Sequence, residues 1–479
     1  MSRRLIPSNR RLAYLLPAMA ALLLSACGWF SPRPHNLLLI CLDTVRADVF
    51  LEPSLHDSLS PWLARAQVYS NAVTVAPWTL PTVATVFTGL YPVQHGAGQF
   101  GTPVANLTSE TPTALSGQAH TLAETLQENG RVTGLFSAHP WFKPGFGLDQ
   151  GFQYRDYRKG AVPLIGKLLQ WLDALDKGQA YFAYLHLMEA HDLHRQPKAQ
   201  LEAQFEALKP ELKDYLRAHA NPHMCQHASS AKCINSEVYA ASILQLRNLL
   251  AGLLGALDER GLLEDTAVVI FSDHGEAFRE HLRQHRALNS DPRGFYGRGH
   301  GQYLYQELLH VPVVAWLPGQ PGNTWPGRVS LVDLFPTLLA WLHVDRDVSA
   351  LPGRQLPPPP QPQDDDRTLY ASGIAYGPQS LAVLKGRFKA LYWPDDDRLE
   401  VFNLAKDPDE RHPLDNPGRL MEFTTLAGDY LALPNRLQGT AGQPDAEQLQ
   451  DLQAIGYLQG ESEDADEDQD QDQHDEEQP

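Results

Sequence analysis

Cysteine is scarce, with four residues in 479, too few for a domain of this length to be held together by disulfides. Basic residues are in the minority: 39 Lys and Arg against 57 Asp and Glu give a formal charge of −18. No basic stripe offers a footprint for nucleic acid. Much of the negative excess is local, because residues 461–479 hold eleven acids and no Lys or Arg. Taking away that run and the four arginines before Cys27 leaves −11 for the body. Beyond Leu24 no stretch reads as long and apolar enough to cross a bilayer. Internal repeats are absent, which excludes solenoids and propellers. What remains is a chain with 43% hydrophobic residues, enough for an ordinary globular core and long enough for a large domain with a smaller companion.

The first residues read as an address. Arg3, Arg4, Arg10 and Arg11 form a basic region, Leu12 to Leu24 an apolar run too short to span a membrane, and Leu24-Ser25-Ala26-Cys27 follows directly. This order resembles a bacterial lipoprotein signal, which implies lipidation at Cys27, removal of residues 1–26 and a short tether over 27–34. Gly28 after the cysteine resembles outer-membrane sorting. The expected location is therefore the cell envelope, with a lipid anchor in the outer membrane and the body facing the periplasm or the cell surface. Of the other cysteines, Cys41 reads as a small core residue. Cys225 and Cys233 bracket a polar loop and suit a local disulfide outside the cytoplasm, or a zinc site with His223 and His227.

Four apolar runs read as buried parallel strands: His35 to Leu42, Val132 to Ser137, Tyr181 to Met188 and Thr266 to Ser272. Helical patterns separate them: Thr121 to Asn129 closed by Gly130, Leu164 to Leu175, and Glu237 to Arg260 closed by Gly261. Lys198 to Ala220 has the pattern of a charged surface helix. Val311 to Trp316 is strand-like, and Val329 to Leu342 reads as a capped helix with Asp333 in its first turn. The alternation predicts an α/β fold, a doubly wound and mostly parallel sheet with helices on both faces, over residues 35–345. A proline-rich and acidic connector follows (346–368), then short alternating segments that predict a small antiparallel sheet in a C-terminal subdomain (369–460). The acidic run from 461 cannot bury a core and should be disordered.

The chemistry collects where open α/β sheets keep it, at the carboxyl ends of strands. Asp43 ends the first run, Glu189-Ala190-His191 the third and Asp273-His274 the fourth. In V-A-P-W-T-L-P-T-V-A-T-V-F-T-G-L-Y, Val75 to Tyr91, Thr79 sits at an N-cap position before an apolar helix that stops at Gly89. Helix starts favour bound anions. Two carboxylates, an imidazole and the Thr79 hydroxyl form a ligand set for one divalent cation, and coordination is one way to activate an alcohol. The oxygen-rich set suits Mn, Mg or Ca, and the imidazole keeps Zn in play.

L-L-I-C-L-D-T-V-R-A-D, A-P-W-T-L-P-T-V-A-T-V-F-T-G-L-Y-P-V-Q-H-G, F-S-D-H-G-E-A-F-R-E-H, G-H-G-Q-Y-L-Y-Q-E-L-L-H-V-P-V and the closing L-Q-A-I-G-Y-L resemble the sulfatase-like branch of the alkaline phosphatase superfamily. The resemblance implies a metal held by Asp43, Asp273 and His274, with Thr79 as covalent nucleophile beside it. It implies that His191, His281 and His300 line the site, His191 or His300 giving a proton to the leaving oxygen. Two departures matter. The family's C/S-x-P-x-R, whose first residue becomes formylglycine, reads Thr79-Leu80-Pro81-Thr82-Val83 here, and oxidation of threonine would yield a ketone rather than that aldehyde. The second residue of the common Asp-Asp pair is Thr44.

The expected activity is transfer or hydrolysis of an anionic phosphate ester or phosphodiester through a phospho-threonine, on a lipid headgroup or an envelope glycan. The alternatives are a sulfuric ester hydrolase that uses Thr79 directly, and a non-catalytic envelope lipoprotein that keeps the fold. The expected partners are the anionic ester substrate and the membrane.

Overall fold

A computed structural model of the chain describes residues 34–52, 57–191, 230–288, 291–294, 296–358 and 366–458, with side chains from 238 onward in the long central helix. The lipoprotein signal, the expected Lys198 to Ala220 helix, Cys225, the side chain of Cys233 and the acidic tail lie outside the described residues.

The apolar runs become the strands of one nine-stranded sheet. Its strands are β1 (Asn36–Leu42), β2 (Gln67–Val73), β3 (Val132–Ser137), β4 (Tyr154–Asp156), β5 (Tyr181–Leu187), β6 (Thr266–Ser272), β7 (His310–Trp316), β8 (Asn323–Trp325) and β9 (Val329–Ser330). The order is β8-β2-β7-β6-β1-β5-β3-β4, with β9 also on β2. All pairings are parallel except those of β7, which runs against β2 and β6. Strands β1, β5 and β6 are buried along their whole length, which is why they read as unbroken apolar runs rather than alternating ones.

Alternate residues of β1 feed two cores. Leu37, Leu39 and Cys41 pack with α1 (Thr79–Thr88), α2 (Leu122–Glu128) and α5 (Leu334–Trp341). Leu38, Ile40 and Leu42 pack on the other face with α3 (Ala161–Asp173) and α4 (Ser230–Glu259). Helices on both faces of a mostly parallel sheet are the expected doubly wound design. Each leucine buried this way contributes about 1.5–3 kcal/mol relative to exposure.

Beyond the connector, β10 (Thr368–Ser372), β11 (Leu381–Lys385), β12 (Phe388–Trp393) and β13 (Arg398–Asn403) form an antiparallel meander. Phe423, Ala427 and Tyr430 of α6 (Pro417–Leu431) cover it against Val383, Ala390 and Val401. The chain then returns to the main domain as α7 (Ala446–Ala454).

Two expectations change. Val238–Glu259 is, by length and composition, long and apolar enough to cross a membrane. In the fold, Val238, Ile243, Leu246, Leu250 and Leu254 belong to the core beside the sheet, so this is a core helix. The capped helix expected from Val329 begins later. Val329 and Ser330 pair with β2, a 3-10 turn spans Leu331–Asp333, and α5 starts at Leu334. Asp333 accepts from Ser330 N and pairs with Arg367 at 2.7 Å, tying the core to the connector.

Candidate active site

Four neighbouring parallel strands, in the order β6-β1-β5-β3, end at one edge of the sheet, and each delivers a functional side chain just past its last residue. Asp273 and His274 follow β6, Asp43 follows β1, His191 follows β5 and His139 follows β3. The first turn of α1 lies over this edge. Trp78, extended at φ −161° and ψ 166°, occupies the cap position, and Thr79 is the first helical residue. Thr79 is thus not the cap expected from the sequence. Its hydroxyl turns away from its own helix, lying 3.4 Å from His274 Nε2 and 3.2 Å from the Tyr457 hydroxyl. Gly89, at φ +71°, ends α1 in the left-handed conformation that glycine adopts without strain.

Asp43, Thr79, Asp273 and His274 are buried without exposed surface. His274 Nε2 lies 3.7 Å from Asp43 Oδ1 and 3.5 Å from Asp273 Oδ2. Ligand atoms of Asp43, Asp273 and His274 fall within 4.8 Å of one another. Buried Asp273 Oδ2 receives no hydrogen bond, and among the described residues no Lys or Arg stands within ion-pair range of Asp273. Burying carboxylates this way is costly unless a cation joins them, so the donor set fits a divalent ion.

Thr44, the residue that replaces the second acid, sits at φ +61°. That conformation costs a β-branched residue on the order of 1–3 kcal/mol. Its hydroxyl donates to the Asp43 carbonyl, and its own carbonyl accepts from Tyr239 Oη at 2.7 Å. The strained turn fixes the backbone at the end of β1 while adding no third carboxylate.

His186 and His139 were not assigned to the site from the sequence. His186 Nε2 lies 3.0 Å from Asp43 Oδ2, and His139 Nε2 lies 3.6 Å from the same oxygen. Burial pushes His186 down to about 4 against the pull of Asp273. Burial and the neighbouring imidazoles push His139 well below the ordinary range. Asp43, His139 and His191 form a second ligand-like group, and Cys41, His186 and Asp273 a third. His139 carried a usable signal, since it follows a buried strand as His191 does.

The expected histidines divide. His191 and His300 face each other with ring centroids 5.0 Å apart, and His300 lies 4.5 Å from His274. His300 Nδ1 meets Glu276 Oε2 at 3.1 Å. Burial nevertheless brings His300 down to about 4, so it is neutral at pH 7, with Nδ1–H held by Glu276 and Nε2 left as an acceptor. His281 does not join them. Its Nδ1 meets Glu307 Oε1 at 2.7 Å, its Nε2 the Asp409 carbonyl at 3.0 Å, and its ring stacks on Tyr305. Both nitrogens are committed to the packing between the two subdomains. Arg279, at φ +70°, turns the chain and carries His281 away from Asp273.

The model for the family described as Sulfatase matches residues 35–344. The chain belongs to the sulfatase family. It is 24% identical over 522 residues to the steryl-sulfatase of Rattus norvegicus, a match covering 84% of this chain and 89% of that one. It is 27% identical over 312 residues to the low-salt glycan biosynthesis sulfotransferase Agl7 of Haloferax volcanii, covering 64% and 63%. The phosphonate monoester hydrolase of Agrobacterium radiobacter superposes with a TM-score of 0.60 at 18% identity, over 83% of this chain and 95% of that one. That likeness shows the shared fold. The protein is a sulfatase-family hydrolase or transferase.

Proposed function

We propose that this protein transfers the phosphoryl group of an anionic ester to Thr79 and then to water or an acceptor hydroxyl. The observation that carries the reading is the placement of Thr79 Oγ1 in the first turn of α1, 3.4 Å from His274 Nε2, which itself groups with Asp43 and Asp273. Thr79 Oγ1 attacks phosphorus in line. The ester bond breaks with its electron pair going to the leaving oxygen, which takes a proton from His191. The Thr79 proton passes to water. In the second half, neutral His300 suits the removal of a proton from the incoming water or alcohol. That oxygen bonds to phosphorus, and the bond from Oγ1 to phosphorus breaks with its electron pair going to Oγ1. Thr79 recovers a proton from water. The N–H groups at the start of α1 hold the non-bridging oxygens. A divalent cation held by Asp43, Asp273 and His274 with Thr79 would neutralise charge on the substrate and lower the pKa of the Thr79 hydroxyl.

Phosphate esters and phosphodiesters of a lipid headgroup or envelope glycan are the substrate class, reached from a lipid anchor at Cys27 in the outer membrane. A sulfuric ester is the second reading, favoured by the family match itself and by the steryl-sulfatase relative. The full chain, assayed with aryl phosphate, bis-aryl phosphate and aryl sulfate in Mn, Mg, Ca or Zn, separates the two. Phosphate turnover lost in Thr79→Ala supports the first and sulfate turnover alone the second. Inactivity on all three leaves a non-catalytic lipoprotein. Membrane recovery that survives Cys27→Ala would remove the anchor.

A further inference from the structure

Among the described residues Thr79 Oγ1 has two side-chain hydrogen-bond neighbours, and one of them lies beyond the 35–344 stretch that the family model matches, in the closing L-Q-A-I-G-Y-L. The phenol of Tyr457 lies 3.2 Å from that oxygen. Several contacts put it there. Gln448 of α7, buried, donates through Nε2 to the Pro140 carbonyl at 2.7 Å, and Lys143 pairs with Glu447 and Asp451 at 2.8 and 2.7 Å. Gly456 then turns the chain at φ +90°, a conformation open to glycine. Tyr376 Oη donates to the Tyr457 carbonyl at 2.9 Å. The Tyr457 ring is 1% exposed, with centroids of His139, Trp141, His191 and His300 between 5.4 and 5.9 Å away. A phenylalanine would fill the same volume. What the hydroxyl adds is a hydrogen-bonding group 3.2 Å from Thr79 Oγ1.

We propose that Tyr457 is a catalytic residue of this site. The inference rests on Thr79 as the nucleophile. The Tyr457 O–H donates to Thr79 Oγ1 as that oxygen loses its proton, and the ring forms the wall along which the leaving group departs. When the bond from Oγ1 to phosphorus or sulfur has formed and the ester bond has broken, Oγ1 is a weaker acceptor. The Tyr457 O–H then turns to a non-bridging oxygen of the transferred group, keeping its proton throughout. A hydrogen bond to an oxygen that carries charge only during reaction is worth roughly tenfold to a hundredfold in rate.

The test compares the full chain with Tyr457→Phe, which removes one oxygen and keeps the ring, and with Tyr457→Ala. Two readouts are used: single-turnover formation of the Thr79 adduct from the best aryl ester, and orthovanadate affinity from the fluorescence of Trp78 and Trp141. Metal content and melting temperature are measured alongside. The proposal expects Tyr457→Phe to slow adduct formation by about tenfold or more and to weaken vanadate correspondingly. KM, metal content and melting temperature should stay near wild type. Wild-type adduct formation and vanadate affinity in Tyr457→Phe would overturn it, as would faster turnover in Tyr457→Ala, which would make the ring an obstruction. Full activity in Thr79→Ala would instead overturn the nucleophile reading, a separate result.

Discussion

The buried ionisable groups between the main sheet and the C-terminal antiparallel sheet and those at the strand ends differ in one respect. In the cluster between the subdomains, each acid has its own base: Glu307 pairs with His281 at 2.7 Å, and Glu410 with Lys389 at 2.6 Å. Burial pushes Glu307 up, but His281 outweighs it and holds the carboxyl at about 2. Burial likewise opposes the charge on His281, and Glu307 keeps it above the ordinary histidine range. At the strand ends, Asp43 and Asp273 are surrounded by imidazoles, of which His186 and His139 are driven toward neutrality by burial. One cluster is balanced from within and binds the subdomains together. In the other, Asp273 Oδ2 is buried with no hydrogen bond among the described residues, an arrangement that suits a ligand held there.

The largest effect that separates the two belongs to chemistry. Thr79→Ala should lower kcat by at least about 10³-fold, the usual scale for losing a covalent nucleophile, while leaving the denaturation midpoint nearly unchanged. A midpoint shift with little loss of kcat would make Thr79 a packing residue. The balanced cluster should behave in the opposite way. Lys389→Met strands Glu410 in the interior and should cost about 3–5 kcal/mol of stability, measured in denaturant, with kcat of the folded fraction retained.

Next in size is the response to cation. Divalent metal at about a hundred times its Kd should raise stability by roughly 2.7 kcal/mol through binding to the folded state. Asp273→Asn should abolish that increment and His281→Gln should keep it. Equal increments in both variants would erase the distinction between the clusters.

The smallest effect is a pH dependence. Glu307 is depressed on folding, so its contribution is present above its unfolded pKa and is lost as pH falls toward about 2. His281 is raised, so its contribution is present below its unfolded pKa and is lost as pH climbs through the folded one. The stability advantage of wild type over Glu307→Gln should therefore be largest near pH 5–6 and shrink on both sides, by at most about 1.4 kcal/mol per pH unit for each group. A flat difference across the acid limb would contradict the pairing.

The sheet was legible because its central strands are buried on both faces and show as uninterrupted apolar runs. Asp43, Asp273 and His274 were legible because the carboxyl edge of such a sheet is where ligands collect. His186 was hidden because a histidine inside Y-F-A-Y-L-H-L-M reads as core, and its partner Asp43 is 143 positions away. Tyr457 is 378 positions from Thr79, and no local pattern encodes that meeting. His281 was misplaced for the converse reason. It is close to Asp273 in sequence, but the left-handed turn at Arg279 sends it to Glu307. The apolar length of α4 went unread, although its helix was legible, and a core helix covered on one face by a large sheet can be as apolar as a membrane span.

The central claim is that Thr79 Oγ1 becomes covalently bonded to the group being transferred. Rapid acid quench of the full chain turning over its best aryl ester, followed by peptide mass spectrometry, tests it directly. The account predicts the mass of one phosphoryl or sulfuryl group on Thr79, formed at least as fast as turnover and absent from Thr79→Ala. Turnover that leaves Thr79 unmodified, or a label on another residue, would contradict it.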